Sequence, residues 1–477
     1  MSGKSDSDYY FGVQCKEHGG IEFVTALKMA RGLDAFNKID DENEVSAGKE
    51  EQEAPAREEI VNRGFLTIGR ELFNSLLGFR DVLQTAGIAY NLLQTVEIKR
   101  FVDTDLKACS TECDDVCGWR IRRIESHAVT RTTRAATRLI RQLEHHAAMD
   151  NVFLLGLVSQ FDAFFGSLIR ELAIYKPHIV LNSDKSYTAA EIMKFSDISR
   201  FQEAVLERET ESVLRKSHSD QFKWLEEKLD KRLRDIDVWP EFIEICERRN
   251  LFAHTSGIVS NTYIQKCREQ GKDVDCVVGD ALSANSDYLM RAAEVFLEIS
   301  VKLTQVIWRV VQDSPEENSK ANSQLNSFAY ELILHGSYGL AEELLEFGMS
   351  KPMKHPNKTV FHMMQVNLAN AYKLGGKKTE SDAVLASEDW EALHPQFQVC
   401  VAGIREDMDD LKRLVPLVPE ADIGPGDYFD WPVFRGVVEN DEYVRLIREQ
   451  FGDDAVALLW KNGPQVSGDK SSRLTAD

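Results

Sequence analysis

Apolar residues recur every three or four positions along most of this 477-residue chain, and this spacing matches one face of an α-helix. In residues 151–173 the repeat forms a broad apolar stripe, which comprises Leu154, Val158, Phe161, Phe165, Leu168 and Leu172. A second stripe in residues 285–311 comprises Leu289, Ala293, Phe296, Ile299 and Leu303. Such stripes are buried against neighbouring helices. The pattern therefore predicts an all-α protein.

Interruptions of this pattern divide the chain into regions. Residues 38–59 are highly charged and poor in apolar groups, so the N-terminal segment is expected to be partly disordered. The polar residues 313–322 are interpreted as a linker. We predict an N-terminal segment 1–58, a helical region 59–150, a helical domain 151–312, helical repeats 323–460 and a disordered tail 461–477.

Two helix–glycine–helix patterns follow the predicted linker, with their turns at Gly336 and Gly376. The first pattern resembles a tetratricopeptide repeat, whose consensus spacings are matched by Leu332, Gly336, Tyr338, Ala341 and Leu345. The second departs from that family at Ser381, where a small alanine is expected. The resemblance implies stacked helix pairs. Their surface is expected to recruit a protein partner or inhibitor.

The composition limits the kinds of ligand that this chain can attract. Its formal net charge is −21 and its pI is about 5.1, so its overall field repels polyanions. A nucleic-acid ligand would therefore need a local basic patch. The first residues are polar, and no apolar run approaches the roughly 18–20 residues of a membrane span. We expect a cytoplasmic protein without membrane contact.

One candidate basic patch lies in the helical region before residue 150. Four arginines follow one another at spacings of three, four and three residues, which places them on one helix face: Arg131, Arg134, Arg138 and Arg141. One interpretation is a solvated face that pairs with acidic neighbours. The other is an RNA-binding stripe that tracks phosphates, which the acidity of the remaining chain favours. Both interpretations stay open at this stage.

The eight cysteines are scattered, which is typical of reduced thiols in a cytosol. Cys109, Cys113 and Cys117 share one helical stripe, and Cys15 and His18 form a C-x2-H pair. Zinc ligands usually occur as two matched pairs, which this set does not provide. We therefore predict no metal site, although binding by the three cysteines stays an alternative. Glycine-rich phosphate loops are also missing from the sequence, so no nucleotide cofactor is predicted.

Residues 248–254 gather several polar side chains at a predicted helix end. Arg249 continues a buried apolar stripe, and Asn250 and His254 are four residues apart on one face. Gly257 is expected to end the helix. A histidine can transfer protons near neutral pH, and an arginine can bind a phosphate through two hydrogen bonds. This set suits metal-free RNA cleavage. The alternative is a structural helix end, in which Arg249 pairs with Glu244 or Glu247 and a carbonyl satisfies His254.

The stretch from Arg249 to His254, "RNLFAH", resembles the R-x4–6-H motif of the HEPN superfamily. The likeness continues to Tyr263, since many bacterial members follow the histidine with a glycine, an apolar pair and a tyrosine. Upstream, Phe161 and Asp162 resemble the aromatic–acid pair in the first helix of these domains. The resemblance covers roughly residues 150–312.

This resemblance implies a HEPN-like helical bundle that dimerises with its two motifs facing one cleft. Arg249, Asn250 and His254 would be the catalytic residues of a metal-independent endoribonuclease, without a cofactor. Many members act as toxins or effectors in bacterial anti-phage defence. Residues that would support the catalytic set are Arg248, Asp162, Thr255 and Tyr263. Members that are inactivated by nucleotide transfer carry a tyrosine two residues after the histidine, where this chain has Ser256.

Two other functions compete with the ribonuclease. An inactive HEPN scaffold would keep the fold for dimerisation and recruit a protein through the repeats. A nucleic-acid-binding regulator would use the arginine stripe without cutting. The complete Arg-Asn-His set favours the enzyme, because a scaffold does not require it.

Overall fold

The computed structural model describes residues 9–18, 21–31, 64–107, 110–112, 122–124, 128–178 and 186–452. The chain divides into two units, residues 1–61 and 62–477. The described residues are mostly helical, which confirms the predicted all-α class. Three earlier predictions lie outside the described residues: the cysteine trio, the tail 461–477 and the charged part of the N-terminal segment.

The N-terminal unit contains an antiparallel strand pair that the sequence analysis did not predict. Strand β1 (Tyr9–His18) pairs with β2 (Ile21–Arg31), and the register shifts between Gln14 and Cys15. A second, short pair lies in the larger unit, where β3 (Ser110–Glu112) pairs with β4 (Arg122–Ile124). The short strands β3 and β4 have only three residues each, which is too few for a periodic signal in the sequence.

The larger unit is a succession of helices. Their bounds are α1 Gly64–Arg100, which continues as a π-helical turn Phe101–Leu106, α2 Val129–Tyr175, α3 Ala189–Ile192, α4 Ile198–Leu214, α5 His218–Leu229, α6 Trp239–Thr255, α7 Asn261–Glu269, α8 Ser286–Val311, α9 Pro315–Leu334, α10 Tyr338–Met349, α11 Lys358–Leu374, α12 Lys378–Leu385, α13 Pro395–Arg405, α14 Met408–Leu414, α15 Asp427–Asp430 and α16 Asp441–Phe451.

Helices α1, α2, α6 and α8 form a bundle around an aromatic core. Phe161 of α2, Phe242 of α6 and Phe296 of α8 are fully buried, and their ring centroids lie 5.1–5.2 Å apart in edge-to-face contacts. Such pairs stabilise a core beyond the burial of their area. The bundle fixes α6, the helix that carries the candidate catalytic residues.

The bundle extends across the boundary that the sequence suggested between residues 150 and 151. Helix α2 runs through this position without a break, and α1 packs on both α2 and α8. The buried residues of α1 include Phe65, Ile68, Leu72, Phe73 and Leu76. An apolar stripe of this width has to be covered. Helix α1 therefore belongs to the same core as residues 151–312.

The predicted linker 313–322 is wrong for most of its length. Ser314 caps α9 by accepting a hydrogen bond from the backbone N–H of Glu317, and Pro315 occupies the first turn. Asn322 is buried, and its side-chain amide donates to the carbonyl of Lys354 at 2.9 Å. Polar composition here reflects helix capping and buried hydrogen bonds.

Residues 315–385 form two helix pairs, α9–α10 and α11–α12. Each pair turns at a glycine in the left-handed region, with φ of 75° at Gly336 and 82° at Gly376. The first pair shares the core of the bundle, since Phe328 of α9 stacks on Phe73 of α1 with centroids 4.1 Å apart. A separate apolar cluster closes the C-terminal end around Tyr428, Phe434 and Tyr443.

One described segment, Met149–Tyr175 of α2, is long and apolar enough to cross a membrane by length and composition. The sequence analysis expected no run that approaches this length. Half of its apolar 18-residue stretch is buried inside the protein, and its stripe from Leu154 to Leu172 lies in the bundle core. Its apolar character therefore matches its role as a core helix.

Candidate functional site

The candidate site begins with the way α6 ends. Ser256 and Gly257 both adopt the left-handed region, with φ of 52° and 85°. The N–H of Gly257 donates a hydrogen bond to the carbonyl of Leu251 at 3.1 Å, which closes the last turn of the helix. The hydroxyl of Thr255 lies within hydrogen-bonding distance of the carbonyls of Leu251 and Ile258. Thr255 therefore stabilises the helix end that carries His254.

Arg249, Asn250 and His254 line one cleft with a volume of about 560 Å³. The cleft lies beside α6, α7, the turn between α4 and α5, and Asp162 of α2. Thr255 and Tyr263 also line it. The structure thus brings together the three predicted catalytic residues and three of their four predicted supporting residues.

Arg249 is held by Asp162. Its Nη2 donates to Asp162 Oδ2 at 3.2 Å, while Asp162 Oδ1 lies 2.9 Å from His218 Nε2. The Nε of Arg249 is buried and has no hydrogen-bond partner among the described residues. The alternative interpretation paired Arg249 with Glu244 or Glu247, which are instead bonded to Arg248 and to Lys266.

Asn250 is partly buried and His254 is exposed. In the part of the chain that the structure describes, neither side chain makes a hydrogen bond, so the carbonyl partner that the structural alternative predicted for His254 is not found there. An imidazole without an internal partner can exchange a proton with a bound substrate.

Glu244 is the centre of a buried hydrogen-bond network on the side of α6 that carries Arg248. It is only 3% exposed and accepts hydrogen bonds from Arg248 Nε at 2.7 Å, Tyr263 Oη at 2.6 Å and Tyr288 Oη at 2.8 Å. Burial, together with the charge of Glu244, raises the pKa of Tyr263 above its ordinary value. Tyr263 is therefore a protonated donor. Arg248 does not line the cleft, and it supports α6 from behind.

Four basic residues of the cleft were missed by the sequence analysis: Arg215, Lys216, His218 and Lys266. Ser217 and Asp220 exchange hydrogen bonds at the start of α5. This capping pattern in the sequence could have predicted where α5 begins. It could not have shown that His218 contacts Asp162, which is 56 residues away along the chain.

The cleft is basic although the chain is acidic. Its lining includes four permanent cations, Arg215, Lys216, Arg249 and Lys266, and two carboxylates, Asp162 and Glu247. Four less two gives a formal charge of +2, with both histidines counted as neutral. The whole chain carries −21. A phosphate-bearing ligand is therefore attracted to the cleft, although the net charge of the chain repels polyanions.

The arginine stripe lies apart from the cleft. Arg131, Arg134 and Arg138 are exposed on the first part of α2, and the side chain of Arg141 lies outside the described residues. With a rise of about 1.5 Å per residue, Arg138 and Asp162 are about 36 Å apart along α2. Arg131, Arg134 and Arg138 do not line the cleft.

The described residues contain no group of three or more histidine, cysteine, aspartate or glutamate side chains placed to hold a metal ion. Comparisons with protein-family models, curated proteins and solved structures gave no match. The function therefore has to be inferred from the site and from the resemblance of residues 249–263 to the HEPN motif.

Proposed function

We propose that this protein is a metal-independent endoribonuclease of the HEPN type. The observation that supports this function best is the convergence of Arg249, Asn250 and His254 on one basic cleft of an acidic protein. A basic cleft with an unpartnered imidazole suits a polyanionic substrate that needs proton transfer.

The reaction is a transfer of the phosphoryl group within the RNA. His254 takes the proton of a 2′-hydroxyl, whose oxygen forms a bond to the adjacent phosphorus. The bond from phosphorus to the 5′-oxygen breaks, and this oxygen gains a proton from a second acid or from water. Arg249 stabilises the charge on the phosphoryl oxygens through its planar fork. Asn250 donates a neutral hydrogen bond to the phosphate. The products are a 2′,3′-cyclic phosphate and a 5′-hydroxyl.

The biological setting is proposed from the resemblance of residues 249–263 to the HEPN motif. The protein would act in the cytoplasm as a toxin or effector of anti-phage defence. The helix pairs of residues 315–385 would be tetratricopeptide-like repeats that bind a protein partner or inhibitor. A homodimer would bring two copies of the motif to one composite site.

Cleavage of RNA by the purified protein and by His254→Ala tests the proposal. The variant is expected to lose at least 100-fold in rate, because a positioned proton-transfer group contributes about 10²–10⁴-fold. His178→Ala is the matched control, since His178 is also exposed but does not line the cleft. Cleavage should continue in EDTA. A His254→Ala protein that cleaves at the wild-type rate would exclude this mechanism, and an inactive wild type would favour the scaffold.

A further inference from the structure

A hydrogen-bonded chain of three side chains in the wall of the cleft connects three helices. Asp162 of α2 bonds His218 of α5 through Oδ1 and Arg249 of α6 through Oδ2, at 2.9 and 3.2 Å. His218 was not among the residues expected from the sequence. Through Asp162, His218 is connected to Arg249, the residue proposed to bind phosphate.

His218 is the fixed end of this chain. It is 8% exposed and follows the cap Ser217 at the start of α5. Its ring packs on Phe161 and Phe242, with centroids 5.9 and 5.8 Å apart. These rings leave the imidazole little rotational freedom.

Asp162 is less confined by its surroundings. Its side chain is 37% exposed, so packing alone does not select one orientation. The bond from the buried His218 supplies the missing constraint. A carboxylate held in this way presents Oδ2 to Arg249 in a fixed direction.

Arg249 depends on that direction. A guanidinium has five N–H donors. The described residues provide one acceptor for them, Asp162, and the buried Nε is left unpaired. The guanidinium is thus anchored at one corner, and the orientation of the remaining donors follows from the position of Asp162.

We propose that His218 is a positioning residue, which acts through Asp162 to orient Arg249 for binding a substrate phosphate. This inference rests on the proposed function, because it assigns Arg249 to a phosphate. His218 itself does not need to touch the RNA. Its role requires an N–H donor at the position of Nε2.

Two amide substitutions separate this role from simple packing. The amide nitrogen of His218→Gln reaches about as far as Nε2 and can still donate to Asp162. The amide of His218→Asn is one methylene shorter and cannot. Affinity is measured for a single-stranded oligonucleotide that carries 2′-O-methyl groups throughout, because it lacks the attacking hydroxyl and is not cleaved. We expect about tenfold weaker binding for His218→Asn and His218→Leu, and near wild-type binding for His218→Gln.

A double-mutant cycle with Arg249→Ala completes the experiment. If His218 acts through Arg249, His218→Asn has no further effect on affinity once Arg249 is removed. Additive losses would overturn the proposal, and so would equal affinity of the asparagine and glutamine variants. Melting temperatures of all variants identify any that do not fold.

The binding assay also distinguishes this inference from the ribonuclease proposal. A wild type that binds the oligonucleotide but cleaves no RNA contradicts the ribonuclease proposal, while the cycle still tests His218. A wild type that does not bind the oligonucleotide overturns the positioning role, because Arg249 then has no phosphate to receive.

Discussion

Arg248 and Arg249 are adjacent in the sequence, yet they lie in different environments. Arg248 bonds the buried Glu244 and the carbonyl of Ser283, and its guanidinium lies 4.1 Å from the ring centroid of Tyr288. Arg249 faces the cleft and bonds Asp162. Consecutive residues of a helix point in directions about 100° apart, which explains this separation.

These environments predict opposite effects of the same substitution. Arg248→Ala removes one of three donors to Glu244, so we expect a loss of about 2 kcal/mol in unfolding free energy. Its rate of RNA cleavage, measured well below the melting temperature, should stay within about threefold of wild type. Arg249→Ala should abolish cleavage with little loss of stability. Denaturant unfolding and initial cleavage rates of both variants check this. A reversed pattern would show that the two roles are assigned wrongly.

The tyrosines that bond Glu244 predict a change of stability at high pH. Burial raises the pKa of Tyr263 and Tyr288 above their ordinary values, so both keep their protons in the folded state. In the unfolded chain they ionise near pH 10. Their contribution to stability is therefore complete below about pH 10 and declines above it, by up to about 1.4 kcal/mol per pH unit for each group. The melting temperature of Tyr263→Phe should fall less between pH 9.5 and 11 than that of wild type. Parallel curves would contradict the raised pKa.

The sequence was sufficient to predict those site residues that lie on a single helix. Arg249, Asn250 and His254 all lie on α6, so the helical period is enough to place them at one end. Asp162 was found through the family resemblance. His218, Lys216 and Lys266 come from other elements, and their approach to the cleft depends on how α4, α5 and α7 pack. Tertiary packing of this kind leaves no periodic signal in the sequence.

At the scale of the elements, helix ends marked by a glycine were predictable, as at Gly257, Gly336 and Gly376, whereas the start of α9 was not. The apolar stripes identified α2 and α8 because each stripe is buried on one side. The charged start of α9 was interpreted as a linker, since Ser314, Pro315 and the following glutamates are polar both in linkers and in first turns. The packing of α1 in the bundle core was also not predicted, because periodicity does not indicate which helices share a core.

The end of α6 makes a prediction about Gly257. A Cβ atom at this position would lie 2.9 Å from the carbonyl oxygen of Leu282 and about 3 Å from the ring of Phe252, in a backbone with φ of 85°. Gly279 has a similar φ of 98° and no atom within 4 Å of its Cβ position. Gly279→Ala therefore measures the backbone cost alone, roughly 1–2 kcal/mol. Gly257→Ala should lose more stability than this control, and its cleavage rate should also fall, because Thr255 and His254 move with the helix end. Equal losses of stability would show that the close contacts relax without cost.

At the scale of the whole molecule, the composition of the cleft predicts that the protein is a dimer. A single cleft contains one Arg-Asn-His set, which is sparse for a reaction that needs both a base and an acid. We predict a two-fold dimer in which the 249–254 segments of the two copies face each other. Light scattering should give a mass near twice 54.1 kDa. Mixing His254→Ala with Arg249→Ala chains should then change activity relative to either variant alone. An active protein that remains monomeric at assay concentration would contradict this assembly.

The distance between the arginine stripe and the cleft provides a test of the path that RNA takes. Along α2, Arg138 and Asp162 are about 36 Å apart, so a short oligonucleotide in the cleft cannot reach the stripe, whereas a long one can. If the stripe tracks phosphates, changing Arg131, Arg134 and Arg138 to glutamate should weaken binding of a 30-nucleotide RNA and leave that of a 4-nucleotide RNA unchanged. The slope of log K against log salt should become shallower by about 0.7 for each lost contact, and only for the long RNA. Cleavage of the short RNA by His254 should continue at the wild-type rate. Unchanged affinity and slope for the long RNA, with a lowered melting temperature, would instead assign these arginines to pairing with acidic groups of the protein.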